Sequence, residues 1–493
     1  MAMCGHLVPR DSVHWFLAEH RQRLFPDEMF ADLFPSGKGR PSVPADVIAT
    51  VMVLQALEGL SDRDAVGQLR MSIAWKVAAG RSLSDEGFHS TVLTLWRNEL
   101  RVSDRPQRIF DAVREVFNAT NVLTGRTRRA RDSTVLDDAV TRQDAIMQLV
   151  AQIRRVRRLI PTAKALELVA HDYDNDPGKP VCAWNDRADI DRVVTELIND
   201  AHMILVALEH VELDDVQAEA VGLLALVAGQ DVEPGDSDGT WRIAQVTRPD
   251  RIVSVVDPES RHVHKTNHNY RDGFKAHIGI EPDTGLITAC ELTAGNVGDA
   301  QAAPALLAGE TEPVEVLADS AYGSGGFRQH LTEHGHTATI KPIPLQPAIA
   351  DGFTIDDFTV NTTAATITCP NGITTRISAS GNATFGVKCR GCPLRERCTT
   401  AAGGRHVYVN VHHDLLAAAR AHARTPEFQQ PYRQHRPMVE RSIAWLVANG
   451  HRRVRYRGVE CNRQALTIRA AAINLRRLLN LGLDHGPNGW AIA

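Results

Sequence analysis

Between residues 139 and 228 apolar side chains recur at helical spacing almost without a break, and at PGDSDGTW that pattern gives way to extended segments. DAIMQLVAQIRRVRRLI and VVTELINDAHMILVALEHV each gather their apolar residues on one helical face, so the block predicts an all-helical unit. After it, RIVSVVD, GFKAHIGIE and LITACELTA read as strands, with EPDTG a hairpin turn between the last two. A helix at DAQAAPALLAG, a strand at VEVLAD, a helix at GFRQHLTEHG and a strand at TATIKP then alternate. Ahead of the helical block, ARDSTVLDDAV reads as one more strand. A chain in this order builds an α/β sheet whose strands stand on both sides of a long helical excursion.

At 493 residues the chain has room for roughly three domains of ordinary size. The expected divisions are a helical unit over 1–120, a first strand over 121–138, a helical insertion over 139–235, a sheet core over 236–344, an irregular insertion over 345–428 and closing helices over 429–493. In the first unit PSVPADVIATVMVLQALEGL predicts a helix ended by Gly59. SDRDAVGQLRMSIAWKVAAG predicts a second, opened by Ser61 with Asp64 as an acidic capping box and running to Gly80; STVLTLWRNELR predicts a third. Such helices suit a helix-turn-helix or a plain bundle. No apolar run approaches the ~20 residues of a membrane span, and MAMCGHLVPRDSVHWF lacks the basic flank and apolar core of a signal peptide. A cytoplasmic protein without a membrane partner is expected.

The net charge of −4 points to no polyanionic partner, but its distribution does. From Arg433 to Arg477 stand eleven Arg against two acids, Glu440 and Glu460, and a second basic run spans Arg126 to Arg131. Each run flanks a carboxylate that could do chemistry. Asp132 lies in the first strand, Asp319 ends the apolar VEVLAD, and Glu440 lies in PYRQHRPMVERSIAWLVANG, a predicted helix, four residues after Arg436. Carboxylates converging from different elements are what Mg²⁺ asks for, since it prefers hard oxygen ligands and keeps several waters. Two such ions roughly 4 Å apart can cleave and join phosphodiesters. Each acid also has a plainer role open to it: Asp319 as a cap of the next helix, Glu440 as a surface partner of Arg436.

Seven segments, in order, are similar to one family: GRPSVPADVIATVMVLQALEGLSDRDAV, RDSTVLDDAV, RIVSVVDPESRHVHKTNHNYRDGFKAHIGIE, LTAGNVGDA, VLADSAYGSG, CRGCPLRERC and RPMVERSIAWLVANGHRRVRYRG. Together they resemble the DDE transposases of bacterial insertion sequences over roughly residues 36 to 480. The resemblance implies an RNase H-like mixed sheet of five strands with a helical N-terminal DNA-binding domain, a large helical insertion after the first strand and a Cys-containing insertion before the last catalytic helix. It implies Asp132, Asp319 and Glu440 as the catalytic acids, holding two Mg²⁺ or Mn²⁺ ions. The implied partners are the terminal inverted repeats of the element and target DNA, met by a homodimer or larger assembly. Relatives carry Tyr, Arg, Glu and Lys along the final helix. Tyr432, Arg436 and Glu440 match, but Val447 stands where Lys is expected, which leaves Arg452 or Arg453 to take its part on DNA. Arg455, Arg457 and Lys265 are the other expected DNA contacts.

Of the eight Cys, Cys369, Cys389, Cys392 and Cys398 fall in the pattern C-x19-C-x2-C-x5-C among Pro and Gly, which suits one structural Zn²⁺; reduced thiols are the alternative. Rival carboxylates are Asp137 and Asp138, the second of which would share a strand face with Asp132. Asp299 in GNVGDA reads more simply as a helix N-cap. Asp257, Arg261, His264 and Lys265 either line a DNA channel or form a polar loop.

Overall fold

The computed structural model describes residues 4–34, 43–246, 248, 250–266 and 269–492, without the side chains of 264–266 and 269. Its main sheet is mixed and, among the described residues, six-stranded. The strands are β1 (Arg128–Asp137), β2 (Arg261–Thr266), β3 (Asn269–Glu281), β4 (Leu286–Ala294), β5 (Glu315–Ala318) and β6 (Thr337–Ile340). Central β1 pairs antiparallel with β3 and parallel with β5. β3 also pairs antiparallel with β2 and β4, while β5 pairs parallel with β6. EPDTG closes the β3–β4 hairpin as its sequence predicts: the Glu281 carboxylate accepts from the N–H groups of Asp283 and Thr284, and Gly285 takes a φ of 71°.

Alternation along β1 turns Ala130, Asp132 and Leu136 to one face of the sheet and Arg131, Ser133 and Val135 to the other. The first face packs on helices from both ends of the chain. The N-terminal helices are α1 (Val13–Leu24), α2 (Ala45–Glu58), α3 (Asp62–Met71), α4 (Ile73–Ala78), α5 (Thr91–Val102) and α6 (Arg108–Ala119). One continuous core joins them to β1, β3, β4 and the C-terminal helix at Val459–Asn480. Every residue of α2 from Ala45 to Leu57 is buried, as befits a helix that is apolar all round, so α2 cannot be the one that enters a DNA groove. The second helix differs from expectation. It breaks at Ser72, whose hydroxyl accepts from the N–H of Trp75 and starts α4. Ser61 caps α3 through the N–H of Asp64, as its spacing predicts.

Gly59 ends α2 with a φ of 72°, and an added Cβ would stand 2.0 Å from the carbonyl oxygen of Asn449. Gly59→Ala is therefore expected to destabilise the fold by at least about 2 kcal/mol, since left-handed strain and overpacking each cost ~1–3 kcal/mol. Thermal unfolding checks this, and an unchanged melting temperature contradicts it.

The insertion holds α7 (Ala145–Leu159), α8 (Arg187–Leu208) and α9 (Asp215–Gln230) around its own core. RIVSVVD, expected as a strand, is instead a coil whose Ile252 and Val255 fill that core, and the Gln148 side chain donates to the Ile252 carbonyl at 2.9 Å. Its apolar run reflects burial against helices, which periodicity cannot tell from burial in a sheet. Over the other sheet face lie α10 (Gly325–Glu333) and the turns of 299–307, with Val316, Ala318 and Ile340 beneath. DAQAAPALLAG is not one helix there: Asp299–Ala302 is a single α turn and Ala303–Leu307 continues as 3₁₀ around Pro304. The 345–428 segment is more ordered than its composition predicts. It has a small core, a three-stranded and a two-stranded sheet, and α11 (His413–His422). Two long helices close the chain, α12 (Pro426–Val447) and α13 (Val459–Asn480). Among the described residues no helix is long and apolar enough to cross a membrane.

Candidate active site

Asp132 stands mid-way along β1, opposite Ile278 of β3, on the face that meets α12. Asp319 follows the last residue of β5, the parallel neighbour of β1. Parallel pairing thus brings to one edge two acids separated by most of the sheet's sequence. Their carboxylates share a cation: Nη2 of Arg436 on α12 lies 3.1 Å from Oδ2 of Asp132 and 3.8 Å from Oδ2 of Asp319. Asp132 is the more enclosed, its side chain 16% exposed against 42% for Asp319. Burial pushes the Asp132 carboxyl above its ordinary pKa, with Arg436 pulling the other way. For Arg436 burial opposes the charge, but Asp132 and then Asp319 more than offset it and hold its pKa above the usual Arg value.

Asp319 also plays its plainer part, accepting from the N–H of Ala321 at 3.0 Å to cap the Ser320–Tyr322 turn. Capping spends one oxygen, and the other faces Arg436. Glu440 is exposed on α12, one turn beyond Arg436. The expected surface pair between them does not form; Arg436 turns inward to the two aspartates, and no ion pair of Glu440 occurs among the described residues. Tyr432 lies one turn before Arg436, and burial raises its phenol pKa, moderated by Arg436 beside it. Tyr432, Arg436 and Glu440 are thus spaced by fours along one helix face.

The rival acids have other partners. Asp137 takes the Arg271 guanidinium at 2.5–2.6 Å, and Asp138 lies beyond β1, buried, accepting from Ser260 Oγ at 2.8 Å. Asp299 is not an N-cap: it is the first residue of its turn, after Gly298, and its carboxylate lies 3.1 Å from Lys275 Nζ and 3.8 Å from His277 Nδ1. Burial lowers the His277 pKa to about 4, so the ring is neutral at neutral pH. Lys275 and His277 pair across β1 with Val135 and Ser133, on the face opposite Asp132. Tyr322 is fully buried, its phenol pKa pushed far up by burial and then by Asp299, Asp132 and Asp319. None of these three was singled out from the sequence. Two polar residues alternating within the apolar GFKAHIGIE are the signal that could have marked Lys275 and His277.

The Arg-rich C-terminal segment does structural work that its charge did not reveal. Arg452 donates to Thr134 Oγ1 at 2.6 Å and to the Val135 carbonyl, Arg453 donates to the Asp138 carbonyl at 2.9 Å, and Arg455 donates to the Gly59 and Leu60 carbonyls. Arg457 is exposed beside Asp257, which is buried and accepts from the N–H of Gly458. Arg261 donates to the Pro258 and Ser260 carbonyls and opens β2, so the polar-loop expectation fails for Arg261, His264 and Lys265, whose backbone is in that strand. In the earlier basic run Arg126, Arg128 and Arg129 pair with Asp283, Glu315 and Glu310, and Arg131 is fully buried. The side chains of His264 and Lys265 lie outside the described residues.

Cys369, Cys389, Cys392 and Cys398 line one pocket with Phe353, Ile373 and Phe385, each a half-buried free thiol. Burial raises the Cys398 pKa, and the other three cysteines act in the same direction. Among the described residues no three His, Cys, Asp or Glu side chains are grouped as metal ligands, here or around Asp132.

Two family models match the chain. One, described as a transposase DDE domain, covers residues 368–479 and so takes in the Cys pocket, α12 and most of α13. The other, described as a transposase domain (DUF772), covers residues 4–99. Neither reaches Asp132 or Asp319. No curated protein and no solved structure gives a significant match.

Proposed function

The chain is a DDE transposase of the insertion-sequence type, and from that premise we propose that Asp132, Asp319 and Glu440 are its catalytic acids, cutting the ends of an element and joining them to target DNA. The observation that carries this reading is the single guanidinium shared by Asp132 and Asp319, because it shows two carboxylates from distant segments facing one cation-sized position. Sheet order supports an RNase H-like core: three antiparallel neighbours, β4, β3 and β1, continue into the parallel β5 and β6, with Asp132 on β1 and Asp319 directly after the adjacent β5.

The donor set fits hard divalent cations, since it consists of carboxylates and offers no thiolate or imidazole. When bound, two Mg²⁺ or Mn²⁺ ions supply activation of the attacking oxygen and charge stabilisation of the leaving one. Asp132, held on a central strand and half-shielded, fixes one side of the site. Asp319, more open and anchored by its bond to Ala321, fixes the other. Glu440 reaches in from α12 as a third oxygen donor, its exposure leaving the approach open to a DNA end. Arg436 meets DNA phosphate, and Arg457 extends that basic surface. Arg452, Arg453 and Arg455 contribute to it chiefly by fixing the 448–458 loop against β1 and α2. The chain works on DNA in the cytoplasm as a homodimer or larger assembly, with its first 120 residues as the end-binding domain.

A duplex carrying the terminal repeat from the DNA flanking the gene, pre-cut to a 3′-hydroxyl, tests the reading directly. Joined product formed only with Mg²⁺ or Mn²⁺ is the expected result. Cutting without joining identifies a nuclease, and end binding without either identifies a non-catalytic DNA-binding protein. The four cysteines of the late insertion are proposed to hold one structural Zn²⁺, supported by their common pocket. Native mass spectrometry should find one Zn²⁺ per chain, lost in Cys389→Ser with Cys392→Ser; metal-free wild-type chain purified with Zn²⁺ present refutes it.

A further inference from the structure

Arg436 sits in a way that a structural ion pair does not require. It is 6% exposed, yet it meets the aspartates through Nη2 alone, and its Nε and Nη1 are buried without a hydrogen-bond partner among the described residues. Guanidinium groups held for stability are usually matched as a fork. Arg108 shows that arrangement in this same chain, with Nη1 and Nη2 on the two oxygens of Asp32 at 2.6 and 2.8 Å. What places Arg436 is the summed charge of two half-enclosed carboxylates, on which it acts as a compact cation.

Asp132 and Asp319 would hold a divalent ion through their carboxylates, and a positive charge already resting on those carboxylates would repel it. We propose that Arg436 is the internal counter-ion of the Asp132–Asp319 pair and competes with the divalent metal for it. This rests on the reading of those acids as metal ligands. Loading then requires the guanidinium to leave the acids, and its place on α12, one turn before the exposed Glu440, lets it swing from its buried position toward the side from which a DNA phosphate approaches. One side chain thus has two positions, on carboxylates or on phosphate, and a phosphate that draws it out favours the metal. By linkage the metal favours the phosphate equally.

Mn²⁺ binding to the full chain, followed by the electron paramagnetic resonance signal of free Mn²⁺, tests the competition without any assay of activity. Arg436→Gln is expected to bind Mn²⁺ about tenfold more tightly than wild type, and Arg436→Lys, which keeps the charge, to fall near wild type. Should Arg436→Gln not fold, Arg436→Met keeps an apolar stem of similar reach and gives the same reading. Unchanged or weaker Mn²⁺ binding in the neutral variants overturns the proposal, because a residue that merely holds the acids in place would loosen the site when removed. Asp132→Asn and Asp319→Asn separate the two levels. Mn²⁺ binding that survives both removes the assignment of the site itself, whereas binding that they abolish but Arg436→Gln fails to strengthen removes only the competition.

Discussion

Asp319→Asn is expected to lose metal-dependent end cleavage while retaining the fold and the binding of element ends. The substitution is nearly isosteric, and the amide oxygen can still accept from the N–H of Ala321, so the Ser320–Tyr322 turn keeps its cap. Asp132 remains 3.1 Å from Arg436, which keeps the buried guanidinium paired. What disappears is one negative charge among the hard oxygen donors of the site. If metal supplies several kcal/mol of charge stabilisation in the transition state, the rate should fall on the order of 10³-fold. Cleavage of a labelled end duplex, measured beside a gel-shift of the same duplex, separates chemistry from binding. Wild-type cleavage by this variant would remove Asp319 from the catalytic set.

Arg469→Ala should produce the largest loss of stability among the Arg substitutions. Arg469 is 4% exposed on α13 and has no acidic partner among the described residues. Its guanidinium instead donates to the Ala56 and Leu57 carbonyls at 2.6 and 2.9 Å, and to those of Trp445, Leu446 and Ala448 at 2.6, 3.3 and 3.4 Å. Ala56, Leu57, Trp445 and Leu446 carry the last carbonyls of α2 and α12, which have no partners within their own helices and form the negative ends of the helix dipoles, and Ala448 directly follows α12. Burial lowers the Arg469 pKa to about 10, which leaves it charged at neutral pH. Truncation leaves the Trp445 and Leu446 carbonyls without this partner and the Ala56 and Leu57 carbonyls with only His451 and Asn449, at ~1–3 kcal/mol for each buried acceptor left unsatisfied, so a loss of at least about 3 kcal/mol in chemical denaturation is expected. Arg469→Lys should recover only part, because an ammonium cannot fork between two helix ends. A change below about 1 kcal/mol would show that the two helix ends do not depend on it.

The same geometry explains why the structural part of the basic C-terminal segment is not visible in its charge alone. Arg455, Arg469, Asn449 and His451 all bond to carbonyls at the end of α2, some four hundred residues earlier in the chain. Sequence composition registers these side chains as positive or polar, and a nucleic acid is the usual partner of such a run. Their actual acceptors are backbone groups, which are the same for every residue type and leave no trace in composition. Lys275, His277 and Tyr322 were hidden for a related reason: their neighbours come from strands and turns far apart in the chain.

Local sequence by itself determined most of the elements, though not the coil at RIVSVVD or the helix break at Ser72. Helical periodicity, Gly59, Ser61 and EPDTG mark where helices and the hairpin start and stop, because caps and turns act over three or four residues. It also determined the candidates for chemistry, since Asp319 at the end of an apolar strand and Glu440 four residues from Arg436 are matters of spacing. Only the tertiary structure decided which partners they meet. Parallel pairing of β1 with β5 set Asp132 beside Asp319, and the packing of α12 on that face turned Arg436 away from Glu440 and onto both aspartates. Charges separated by hundreds of residues interact through space, and the distance between them exists only once the sheet has closed.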